Sequence, residues 1–175
     1  ARGRVISTSS VMHRTASTDK FPLVDQVRTP YVSLYSLSKL SQILMSTALH
    51  RRYGEEVSFH CFNPGGVASD IWRDYPAWKR RLLSLVLLSP TSAAETMVAT
   101  CLCEEGRAPS RPRYWNGYCG AGRHSFFEYW SPLRAGKALV LSEPSYDACN
   151  DELTEEVWRQ SATILREKAG FTLDE

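Results

Sequence analysis

Between residues 37 and 49 apolar side chains recur at three- and four-residue intervals: Leu37, Leu40, Ile43, Leu44, Ala48 and Leu49. That period lays them on one helix face and predicts a helix of about 18 residues starting near Ser33 or Leu34. Arg51 and Arg52 suit its negative end, and Gly54 its stop. The period then changes. Val57, Phe59 and Cys61 alternate with Ser58, His60 and Phe62, which predicts a strand ahead of the turn residues Asn63-Pro64-Gly65-Gly66. His60 reads as a satisfied strand residue rather than a ligand. Upstream, Val5 and Ile6 followed by Ser7-Thr8-Ser9-Ser10 predict a short buried strand ending in polar residues, then a polar loop to about Pro30.

Downstream of the turn, Ile71 to Leu88 is rich in tryptophan, basic and apolar residues. Ser92 with Glu95 forms a capping-box pattern that opens a helix closing near Gly106. Tyr114 to Cys119 is a third strand candidate, and Leu153, Val157, Trp158, Ile164 and Leu165 predict a final amphipathic helix. Gly117, Gly120 and Gly122 follow a weak strand and precede no clear helix, so they read as a loop and not a phosphate cradle. Gly120 to Tyr146 reads as irregular. Alternating strands and helices imply an α/β fold, with right-handed crossovers and a parallel sheet of about three strands with flanking helices. Ligands bind such sheets beyond the carboxyl ends of the strands, where Ser10 and the Asn63-Pro64-Gly65-Gly66 turn are expected.

Composition narrows the classes. With 175 residues, 43% hydrophobic and 23% charged, the chain can bury one core, and a net charge of +2 gives no nucleic-acid footprint. Lys79-Arg80-Arg81 and the run from Arg107 to Arg113 read as solvated surface. The five cysteines are odd in number, and Cys101 and Cys103 lack the second pair or histidines of a zinc site, so no metal is expected and the thiols read as reduced. The longest apolar run, Leu82 to Leu88, falls far short of the roughly 20 residues that cross a bilayer. Ala1 is not an initiator methionine and a strand pattern starts almost at once, as though the chain enters its fold midway.

The candidate chemistry lies in Tyr35-Ser36-Leu37-Ser38-Lys39. On a helix, residues four apart sit about 40° round from each other, so a phenol and an ammonium can converge. A cation held beside a phenol favours the phenolate, which a tyrosine needs in order to exchange protons near neutrality.

Ser9-Ser10 at a strand end, Tyr35 to Lys39 opening a helix, and Asn63 to Ser69 after the next strand together resemble the short-chain dehydrogenases/reductases. The wording is most similar to the branch with the retinol dehydrogenases and the WW-domain oxidoreductase, over about residues 3 to 106. The resemblance implies the carboxyl-terminal half of a Rossmann-like doubly wound sheet, a single partial domain over residues 1–175. Within it, 1–119 would be the catalytic half, 120–150 an irregular segment and 151–170 the terminal helix.

It also implies an NADP- or NAD-dependent oxidoreductase interconverting an alcohol and a carbonyl, with NADP slightly favoured. Tyr35 would be the proton donor or acceptor, and Lys39 would support it and bond the nicotinamide ribose. Ser10 would bond the substrate oxygen, with Ser9 and Ser7 as alternatives. Tyr35, Lys39, Pro64, Gly65, Val67 and Ser69 would hold the cofactor. Trp72, Tyr75, Trp78 and Leu82 to Leu88 stand where that family builds its substrate lid, which suits a lipophilic substrate such as a retinoid, steroid or fatty aldehyde; the other reading is a core helix. Beside Lys79, Arg80 and Arg81 the same segment could lie against a membrane surface. A homo-oligomer is compatible, and the location would be cytoplasmic or on the cytoplasmic side of a membrane.

The family's glycine-rich TGxxxGxG turn, its cofactor-selecting residue and its NNAG segment are not in this sequence. Two readings follow: an enzyme of which this is the second half, or a truncated, catalytically inactive paralogue serving as an interaction module.

Overall fold

A computed structural model describes residues 3–20, 30–103, 111–117 and 140–171 of the chain. Among them the fold is α/β, an open and mostly parallel sheet of four strands with four helices. Strand β1 (Gly3–Thr8) pairs parallel with β2 (Val57–Asn63), and β2 pairs parallel with β3 (Arg113–Asn116). A short β4 (Val140–Ser142) runs antiparallel to β3, giving the order β1-β2-β3-β4. The expectation of about three strands, with an irregular stretch to Tyr146, is thereby corrected. Three residues are too few for alternation to register in sequence.

Between β1 and β2 lies α1 (Tyr31–Tyr53), which starts slightly ahead of the expected Ser33 because Pro30 precedes it in an extended conformation. Its stripe of Leu37, Leu40, Ile43, Leu44 and Ala48 is buried, and with Cys61, Tyr114, Ala148 and Val157 it forms the core. Leu49 is only half-buried. Gly54 ends the helix in right-handed rather than left-handed backbone, and the position takes a glycine for space, since a Cβ there would overlap the His50 carbonyl oxygen. Arg51 and Arg52 do more than face the negative end of their own helix. Arg52 donates to Glu155 at 2.8 Å and stacks 4.2 Å over the Trp158 ring, while Arg51 pairs with Glu155 and Asp151. These contacts dock α4 (Asp151–Ala169) on α1.

In α4 only Val157 and Trp158 of the expected apolar set are buried, whereas Ile164 and Leu165 lie exposed. Helix α3 (Pro90–Leu102) is capped by Ser89, whose Oγ accepts from Ser92 N, with Pro90 in the first turn. The expected cap at Ser92 is therefore displaced by three residues, since a proline whose φ is already helical starts the helix earlier. The expected closure at Gly106, together with Gly120 and Gly122, lies outside the described residues. Helix α2 (Ala77–Val86) presents Trp78, Leu82 and Leu85 to solvent, so it is not the core helix that its tryptophan allowed.

His60 is buried in β2 and accepts the Arg113 N–H on Nδ1 at 3.1 Å, the strand role read from sequence. Among the described residues Cys61, Cys101, Cys103 and Cys149 are free thiols and no group of side chains could hold a metal ion. No described helix is long and apolar enough to cross a membrane.

Candidate active site

The register Thr8↔Phe62 brings β1 and β2 out of the sheet at one end, where the Ser9 N–H donates to the Phe62 carbonyl at 2.8 Å. Ser9-Ser10 and Asn63-Pro64 thus leave the sheet side by side, and the first turns of α1 meet them there. Lys39 Nζ donates to the Thr8 carbonyl at 3.0 Å and to Gln42 Oε1 at 3.4 Å, and lies 5.5 Å from the centre of the Tyr35 ring. The ammonium and the Tyr35 ring thus lie on one face of α1, one helical turn apart. Partial burial lowers the Lys39 pKa below its ordinary value.

Ser7, Ser9 and Ser10 have different partners. Ser9 Oγ donates to the Lys39 carbonyl at 2.9 Å and Ser7 Oγ is 3.1 Å from Ser46 Oγ, so both fasten β1 to α1. Ser10 Oγ instead accepts the Met12 N–H at 3.3 Å and caps the 3₁₀ turn Val11–Thr15. A hydroxyl that accepts a backbone proton still has its own to donate.

The turn after β2 is held from beneath. Asn63, 1% exposed, accepts the Gly65 N–H on Oδ1 and donates through Nδ2 to Asn116 Oδ1 at 2.9 Å; Asn116, fully buried, donates in turn to Ser142 Oγ at 2.8 Å. This chain joins the ends of β2, β3 and β4 beneath Pro64. Gly65 has φ 81°, the left-handed region open chiefly to glycine. Val67 bridges to Leu88, and its carbonyl accepts both the Ser69 N–H and Trp72 Nε1, at 2.8 Å from the indole. Trp72 and the segment after it are thereby tied to the turn. Ser69 is exposed at the start of the short turn Asp70–Trp72.

The sequence gives no signal for His13, which is 1% exposed beside Ser10. Its Nδ1 lies 2.6 Å from the Ser10 carbonyl and its Nε2 accepts the Ser145 N–H at 3.0 Å. A histidine in a polar run, SSVMHR, has no periodicity to mark it as buried. Asn116 and Ser142 escape sequence reading for the same reason.

Lys39 and the Gly65 turn are the residues that could hold a nicotinamide cofactor. An ammonium carries three donors, of which Thr8 and Gln42 take two among the described residues, leaving one for a ribose hydroxyl. Gly65 offers a side-chain-free approach to a flat ring.

No protein-family model and no curated protein matches the chain. Among solved structures it is similar to an uncharacterized protein from Mycobacterium paratuberculosis, with a TM-score of 0.58 and 14% identity over 94% of this chain and 51% of that one. The chain spans about half the length of that protein. A likeness at this identity shows the fold alone.

Proposed function

We propose that this chain is the carboxyl-terminal half of a Rossmann-like short-chain dehydrogenase/reductase that interconverts an alcohol and a carbonyl with NADP or NAD. The observation that carries the reading is the Lys39 ammonium, held on the Thr8 carbonyl and 5.5 Å from the Tyr35 ring, at the carboxyl end of a parallel strand. When bound, the nicotinamide supplies hydride acceptance or donation. The chain's own residues do the rest. Tyr35 takes the alcohol proton during oxidation and returns it during reduction. Lys39, with a donor to spare, orients the ribose and holds a positive charge beside the Tyr35 ring. Ser10 donates its free proton to the substrate oxygen and stabilises the charge that develops there. Pro64, Gly65, Val67 and Ser69 line the nicotinamide end.

The exposed aromatic and aliphatic face of α2, tied to the turn through Trp72, supports a lipophilic substrate such as a retinoid, steroid or fatty aldehyde. Lys79, Arg80 and Arg81 on the same helix suit the cytoplasmic side of an anionic membrane. The test is hydride transfer: the complete protein containing this chain should oxidise or reduce such a substrate with NADP or NAD, and absence of nicotinamide turnover across all three substrate classes counts against the reading.

The second reading is an inactive interaction module. Calorimetry on the 175-residue chain separates the two states. Without a glycine-rich cradle for the pyrophosphate, the isolated chain should bind NAD or NADP far more weakly than the complete protein.

A further inference from the structure

We propose that His13 is a positioning residue for Ser10, a neutral imidazole clamp that fixes the Ser10 carbonyl against the segment leading into α4. The inference rests on the reading of Ser10 given above, and the geometry behind it is independent of that reading.

Both ring nitrogens face groups with one permitted role. A backbone N–H can only donate, so Nε2, 3.0 Å from the Ser145 nitrogen, carries no proton. A carbonyl can only accept, so Nδ1, 2.6 Å from the Ser10 oxygen, carries it. The partners thus fix one neutral tautomer. The same Ser10 carbonyl also accepts the His13 N–H at 3.1 Å, so two donors of one residue hold it. The Tyr114 ring packs edge-on at 5.0 Å and closes off rotation of the imidazole. Burial, with Arg14 adding to it and the Ser10 bond opposing it, pushes the imidazole pKa down to about 4, which keeps the ring neutral near neutrality.

The clamp matters for Ser10 because the serine sits at the junction of a strand and a 3₁₀ turn, with extended backbone at φ −158°. Its hydroxyl direction is set by where its own carbonyl and the Met12 N–H are held. A substrate oxygen gains from that hydroxyl only if the hydroxyl is already aimed.

The test uses the complete protein and three replacements that separate the two bonds. His13→Asn retains a donor where Nδ1 stands, His13→Gln retains an acceptor where Nε2 stands, and His13→Phe retains only bulk. The expected result is a fall in kcat of roughly 10-fold to 100-fold for His13→Phe and His13→Gln, recovery of most of it in His13→Asn, and a little-changed KM for the cofactor. Equal kcat for the Asn and Gln variants, or full kcat in all three while Ser10→Ala is disabled, overturns the inference alone. Full kcat in Ser10→Ala overturns the reading of Ser10 and the inference with it. If the variants fail to fold, imidazole nitrogen shifts of the wild-type protein decide: a proton on Nδ1 alone at pH 7 supports the clamp, and a proton on Nε2 contradicts it.

Discussion

Lys39 Nζ sits 3.0 Å from the Thr8 carbonyl, so the ammonium that faces the Tyr35 ring is pinned to the end of the first strand. The bond explains why a cation stays in a partly buried place that lowers its pKa. Lys39→Met in the complete protein should weaken cofactor binding and lower turnover, because the ammonium that would bond the ribose and that faces the Tyr35 ring is removed. A cofactor titration together with steady-state rates reads both effects, and unchanged affinity and turnover would detach Lys39 from the chemistry.

His13 gives a stability prediction with a defined window. Its pKa falls from 6.5 to about 4 on folding, so between those values the unfolded chain binds more protons than the folded one. Stability should therefore decline as pH drops from about 6.5 towards 4 and level off below, by up to about 3 kcal/mol at 1.36 kcal/mol per unit. Glu155, held low by Arg52, adds its loss further down, below the ordinary carboxylate range. Urea midpoints against pH check this, and His13→Gln should flatten the upper part of the curve.

Asn116 is fully buried between Asn63 and Ser142. Asn116→Leu leaves a buried amide without its partner and should cost about 1–3 kcal/mol. The same change should loosen the Gly65 turn, so cofactor affinity should fall along with the melting temperature.

Much of this architecture was legible in the sequence, and the reasons differ by element. The stripe on α1 repeats often enough to announce a helix, and the alternation from Val57 to Phe62 announced β2. Yet β2 is a central strand, with Ser58, His60 and Asn63 buried alongside its apolar residues, so its polar positions do not face solvent as the alternation implied. The Tyr35 and Lys39 pair was legible because a four-residue spacing fixes a helix face. The clamp on Ser10 was not, because Ser145 lies far along the chain from His13 and only tertiary packing joins them. The same holds for Arg51 and Arg52, whose partners are on α4.

Among the described residues strand β1 ends the sheet on one side, and Val5 is 45% exposed on it. An unpaired edge with apolar side chains recruits other strands. The isolated 175-residue chain should self-associate at micromolar concentration, and Val5→Lys should reduce the association seen by sedimentation. A monomeric wild-type chain that unfolds cooperatively would contradict this.

The most direct measurement is turnover of the Tyr35→Phe variant in the complete protein. The change removes one hydroxyl from a half-buried ring and leaves Leu37 and Leu40 in the core, so folding and cofactor binding should persist. If Tyr35 relays the substrate proton, turnover falls by roughly 10²–10⁴. A folded, cofactor-binding variant with near-wild-type turnover would contradict the assignment and leave Tyr35 as an ordinary helix residue.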